Sequence, residues 1–152
     1  MAILIGGLIA GILDLTSAIL ITLYYKGSPV RMFQTIASGA LGQAAFDGGA
    51  ATAALGVAFH FLIAFTATAV FYLASRKIAF LIEKPVVSGI LYALVVYAFM
   101  YFVVQRLAGL HPKFTTLSVT RAILVHIFCV GLPISLSVAR YGSRGRDHHP
   151  AH

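Results

Sequence analysis

The 152-residue chain is 60% hydrophobic and only 10% charged, with a formal charge of +7 and a mean hydropathy of +0.94. A soluble domain carries about 25% charged residues, so this composition leaves no polar surface to wrap a soluble core and excludes that class. The lysines and arginines stand at the ends of apolar segments and in the C-terminal tail, a distribution that sets membrane topology rather than building a nucleic-acid-binding face.

Four uncharged or nearly uncharged runs are long enough to cross a hydrocarbon core of about 30 Å as helices rising about 1.5 Å per residue. The first is expected over residues 2–25. It lacks a basic n-region, and its apolar run exceeds the about 7–15 residues of a signal peptide, so it reads as a retained span. Gly7 and Gly11 form a GxxxG step that lets two helix backbones approach closely. Asp14 falls near the middle, and Tyr24 and Tyr25 end the run at interfacial depth, with Lys26 beyond.

The loop that follows is the longest. Pro29 breaks helix, but Phe33, Ile36, Ala37, Ala40, Leu41 and Ala44 recur at helical spacing, with Gln34, Ser38 and Gln43 on the other side. Residues 31–46 are too few to span, so they are expected as a short interfacial or re-entrant helix. Asp47-Gly48-Gly49 signals a turn.

Span two is expected over residues 51–75. Its one strongly polar residue is His60, and Arg76 and Lys77 follow it. Span three is expected over 85–106, opening at Pro85, a favourable first helical position, and ending at Gln105 and Arg106. His111-Pro112-Lys113 marks a loop, and 115–120 leads into span four, expected over 119–140. Arg121 lies at its entrance and His126 about a turn deeper. Pro133 inside it removes a donor from the Cys129 carbonyl, so a kink is expected. Cys129 is the sole cysteine, which excludes a disulfide framework and a cysteine-based metal site within one chain.

The fold class is therefore all-α, a four-helix transmembrane bundle with one short extra helix in the first loop. Residues 1–140 form one domain, and 141–152 form a basic tail read as disordered. Its histidines His148, His149 and His152 are read as solvated chain rather than as a metal site. Arg76, Lys77, Lys84, Arg140, Arg144 and Arg146 fall on one side of the membrane, and Lys26, Arg31, Arg106, Lys113 and Arg121 on the other. The excess favours both termini in the cytoplasm.

That topology makes spans two and four parallel and places His60 and His126 at similar depth. Together with Asp14, and with Arg106 and Arg121 at the rim, they form an expected polar cluster, because ionisable groups in hydrocarbon face partners or water. Three readings of the histidines stand open: neutral imidazoles that knit the bundle by hydrogen bonds, a pocket for a small solute or a proton relay, and bis-histidine haem ligation. Asp14 is expected either as the neutral acid or paired with a histidine or with the Thr16 or Ser17 hydroxyl. A short echo links HFLIAF at His60 with HIFCVG at His126, as parallel repeats of a hairpin would give.

The segments GGLIAGILD, IASGALG, GGAATAALG-x-x-x-HFLIAF, SGILY-x-LVVY and H-x-FCVGLPI resemble a group of small uncharacterised four-span bacterial inner-membrane proteins. More distantly they resemble the YagU-like inner-membrane proteins, which also carry a histidine in spans two and four. The resemblance covers about residues 1–139. It implies the four-span architecture and an inner-membrane location, points to Asp14, His60 and His126, and implies no activity. Gln105-Arg106 departs from the proline expected after the third span.

The chain has no phosphate-binding glycine loop, dinucleotide fingerprint, HExxH or nucleophile elbow. The expectation is a non-enzymatic membrane component or accessory subunit, with no catalytic residue, metal or cofactor. The lipid bilayer is its main partner, beside a second copy or a larger membrane complex, and not nucleic acid. The alternative is an oligomeric solute or proton pathway, with a haem-binding electron carrier third.

Overall fold

The computed structural model describes residues 1–107, 109 and 115–142. Among them the only regular structure is helical. Helix α1 spans Ala2–Tyr24 and α2 Pro29–Leu41, and a tight 3-10 turn, Gly42–Phe46, follows. Helix α3 spans Gly49–Ser75, and α4 is a single turn, Phe80–Glu83. Helix α5 spans Pro85–Val104 and α6 Thr116–Gly142. Helices α1, α3, α5 and α6 are long and apolar enough to cross a membrane, and the architecture is the expected all-α bundle of four such helices.

Span four starts three residues earlier than expected. Thr115 caps it: its hydroxyl accepts from the Ser118 backbone N–H, and the Ser118 hydroxyl accepts in return from the Thr115 N–H. This reciprocal box satisfies two donors that the first helical turn leaves orphaned. The tail beyond Gly142 and the His111-Pro112-Lys113 loop lie outside the described residues.

Helix α1 packs along both α3 and α6, and α5 packs along α6. These contacts are made where side chains are small. Added Cβ atoms at Gly7 and Gly11 would strike the Phe65 and Phe61 rings. The GxxxG step thus seats two aromatic rings of α3 rather than bringing two backbones together. Backbone contact occurs elsewhere, at the α5–α6 crossing, where a Cβ on Gly131 would run into the Gly89 carbonyl. The buried cluster around Phe71, Ile134 and Val138 fills the opposite end of the bundle from α2.

Helices α3 and α5 stand further apart and are bridged by side chains. The Tyr92 O–H donates to the Ala67 carbonyl over 2.7 Å, and its ring meets Phe71 edge-on. Helix α2 leans on α3 beside this gap. Gly56 lies directly under the Phe33 carbonyl. The buried face of α2 mixes the two sides of the pattern: Ala37 of the apolar stripe is buried together with Gln34 and Ser38 of the polar side, while Ala40 and Leu41 of the stripe are exposed. Burial of Gln34 is offset because its amide donates to the Gly49 carbonyl over 3.1 Å, and the Ser38 hydroxyl donates to Thr35. In a chain surrounded by lipid, satisfied polar groups go inward and apolar ones can face out, which reverses the soluble-helix rule.

Pro133 is accommodated without breaking α6. The turn just before it, His126–Gly131, widens to π geometry, and the Leu132 N–H reaches back to the Ile127 carbonyl. A second wide turn, Met100–Val104, closes α5, where no proline requires it.

A polar cavity between three spans

His60 lies eleven residues into α3 and His126 ten residues into α6, and the packing brings the two to the same level of the bundle. Both rings, together with Asp14 of α1, line one cavity of about 90 Å³. The rest of its wall is apolar and includes Ala10, Ile36, Val96 and Val130. Three ionisable side chains from three different spans therefore meet inside the bundle.

The two imidazoles are held differently. His60 Nε2 is 3.0 Å from the Gly11 carbonyl. A carbonyl only accepts, so Nε2 carries the proton, and in the neutral ring Nδ1 is a lone-pair acceptor. That Nδ1 faces Asp14 Oδ2 at 4.0 Å, beyond direct hydrogen-bond reach. His126 donates from Nδ1 to the Ala122 carbonyl of its own helix over 2.8 Å, and its ring meets Tyr97 edge-on. By the same logic His126 Nε2 is the acceptor. It makes no hydrogen bond among the described residues. It also retains accessible surface, because no fully buried side-chain nitrogen or oxygen among those residues lacks a partner. The rings share the cavity without bonding to each other.

Asp14 takes nothing from its neighbouring hydroxyls. Thr16 donates to the Ile12 carbonyl, and Ser17 donates to the backbone carbonyl of Asp14 itself. The carboxylate oxygens remain free for the cavity and for His60. With both imidazoles neutral and Asp14 as the carboxylate, the polar wall presents acceptors from three directions: Asp14, His60 Nδ1 and His126 Nε2.

The arginines do not join them. Arg121 donates to the Tyr25 hydroxyl over 2.8 Å and lies over the Tyr25 ring at 5.0 Å, a cation–π contact that ties the start of α6 to the end of α1. Arg106 is exposed at the end of the third span. Long cationic side chains extend toward water rather than into the bundle, so the expected cluster of five reduces to three.

The haem reading finds no fit within one chain. Pockets for larger organic ligands begin at about 300 Å³, well above this cavity, and His60 Nε2 is committed to Gly11. Nor do three His, Cys, Asp or Glu side chains gather closely enough among the described residues to share a metal ion. The repeat echo is also uneven: His60 bonds across to another span and His126 within its own.

Sequence reasoning missed the Gly11 carbonyl as the partner of His60, although a glycine in the step facing span two leaves its backbone unshielded. It also missed the two wide turns. Each begins at a residue of the cavity wall, Met100 and His126, and such turns inside helices recur at functional sites.

The four apolar helices define the class: a multi-pass membrane protein, built as a helical bundle with a small polar cavity in its interior. Comparison with protein-family models, curated proteins and solved structures returns no match.

Proposed function

We propose that this chain is a non-enzymatic component of the bacterial inner membrane, and that its working site is the Asp14–His60–His126 cavity, which binds a small polar group inside the bundle. The observation that carries this reading is that three ionisable residues from three spans line one cavity and keep acceptor atoms unspent on the fold. A carboxylate such as Asp14 is costly in a bilayer, about 2.5–3.5 kcal/mol on insertion scales, and ionisable groups retained there mark pathways and binding sites. Both termini lie in the cytoplasm in this reading, and the bilayer and further copies or subunits surround the bundle. Kinship with the four-span inner-membrane group belongs to the same proposal.

The test is nitrogen-15 NMR of the histidine rings in protein reconstituted into lipid nanodiscs. If the three residues form one site, Asp14→Asn displaces the His60 signal, whose Nδ1 faces the carboxyl, while leaving His126 nearly unchanged. A His60 signal that ignores Asp14→Asn would mark the three residues as purely structural.

A further inference from the structure

A second, larger space lies beside the polar cavity. It is a groove of about 610 Å³ between α2, α3 and α5, with Gly39, Ala40, Leu62 and Val104 among its lining residues. Leu62 is 60% exposed, on a helix face that meets lipid once the bundle is in a membrane. Three residues, Ile36, Ile63 and Met100, line the groove and the polar cavity alike. The two spaces are therefore separated only by the thickness of three apolar side chains, one of them a methionine, which re-rotates readily. The gap exists because α3 and α5 are bridged by Tyr92 rather than packed backbone to backbone, and α2 stands at its mouth.

We propose that groove and cavity together form one bipartite site for an uncharged, lipid-soluble amphiphile of the quinol class, its hydroxylated ring in the polar cavity and its apolar tail in the groove. The inference rests on the cavity being a binding site, as proposed above, and adds the class of ligand.

The polar wall selects the head. Asp14, His60 Nδ1 and His126 Nε2 offer lone pairs from separate spans, so the complementary group is a donor, and a hydroxyl at each side of a ring meets two of them at once. A carboxylate head would face Asp14 with no cation beside it, since Arg106 and Arg121 lie elsewhere. Size selects the ring. A volume near 90 Å³ holds about three waters, so a six-membered ring enters with its hydroxyl edge first and takes the rest of its room from the shared wall as Met100 swings aside. A lone hydroxymethyl or ammonium head would leave Ala64, Ala67, Val96 and Val130 facing empty space and losing their dispersion contacts. The groove selects the tail: its volume lies within the about 300–1,000 Å³ typical of organic ligand sites, and its wall is mostly apolar. Entry from the side lets such a ligand arrive from the bilayer without crossing water.

The experiment uses full-length protein in nanodiscs and four probes that share a ten-carbon tail: decyl hydroquinone under reducing conditions, its dimethyl ether, decanol and decylamine. Binding is read from the His126 ring nitrogen resonance and by competition. Decyl hydroquinone is expected to saturate and to displace the His126 signal. The ether keeps ring and tail but has no donor, and it is expected to bind at least about tenfold more weakly, because the acceptors are left unpaired. Ala40→Trp, at an exposed position of the groove, is expected to weaken hydroquinone binding by about tenfold, with the ligand-free histidine spectrum unchanged. Equal binding of the ether, or tighter binding of decanol or decylamine, overturns the head assignment. Undiminished binding in Ala40→Trp overturns the tail assignment. Absence of hydroquinone binding in a protein whose His60 still answers to Asp14→Asn overturns the ligand class and leaves the cavity reading standing.

Discussion

His60 Nε2 donates to the backbone carbonyl of Gly11 over 3.0 Å, so one imidazole fastens α3 to α1 through a carbonyl that only a glycine leaves open. The neighbouring Phe61 ring fills the space a side chain at residue 11 would take: an added Cβ would sit 2.7 Å from its Cδ1 atom. Contact and hydrogen bond thus depend on the same absent side chain. His60→Gln keeps a donor and is expected to stay within about 1 kcal/mol of the parent, the range of interhelical hydrogen bonds in membranes. His60→Ala removes both donor and volume and is expected to cost about 2–4 kcal/mol. Equilibrium unfolding in mixed micelles measures both, and equal costs would mean that the bond contributes nothing.

The small residues divide by what they touch. At Gly131 an added methyl meets the Gly89 backbone, which cannot turn aside, whereas at Gly11 it meets a phenyl ring, which can. Gly131→Ala is therefore expected to destabilise by about 1–3 kcal/mol, and by more than Gly11→Ala. The same unfolding assay ranks them, and the reverse order would place the tighter contact between α1 and α3.

Tyr92 spans the gap between α3 and α5. Tyr92→Phe keeps the ring against Phe71 and removes only the bond to the Ala67 carbonyl. The expected loss is about 0.6 kcal/mol and at most about 1.7 kcal/mol. Tyr92→Leu, which also loses the aromatic contact, should cost more. A Phe variant as damaged as the Leu variant would show that the hydroxyl carries the whole effect.

Thr115 opens the fourth span. Thr115→Ala breaks the reciprocal box with Ser118 and is expected to cost about 1 kcal/mol. Amide exchange should accelerate at Ser118 and Val119 while the turn around His126 keeps its protection. Acceleration reaching His126 would show that the cap holds more than the first turn.

Topology is tested by alkaline phosphatase fusions. With both termini cytoplasmic, a fusion after Lys26 is expected to be active, and fusions after Lys77 and Gly142 inactive. The opposite pattern would invert the bundle without altering its interior.

Chain length, apolar runs and turn residues settled the four apolar helices, the start of the third at Pro85 and the matching positions of His60 and His126 along theirs. Each of these follows from residue count along a helix of fixed rise, which needs no knowledge of neighbours. The meeting of Asp14, His60 and His126 was legible for the same reason, since a bundle gives each span one narrow inward face. What the linear pattern could not fix was rotation and lateral order. In lipid the hydrophobic pattern does not mark which face turns inward, so the burial of Gln34 and Ser38 on α2 ran against the soluble-helix expectation. The same indifference left open which glycines would meet rings and which would meet backbone. Arg121 went to Tyr25 rather than to the histidines because a flexible cation settles with whichever partner stands nearest water. The wide turns at Met100 and His126, and the gap between α3 and α5, arise only when helices crossing at Gly89 and Gly131 fix where every other side chain must fall. Depth was written along the chain, whereas the shape of the cavity was decided by packing between chain segments far apart in sequence.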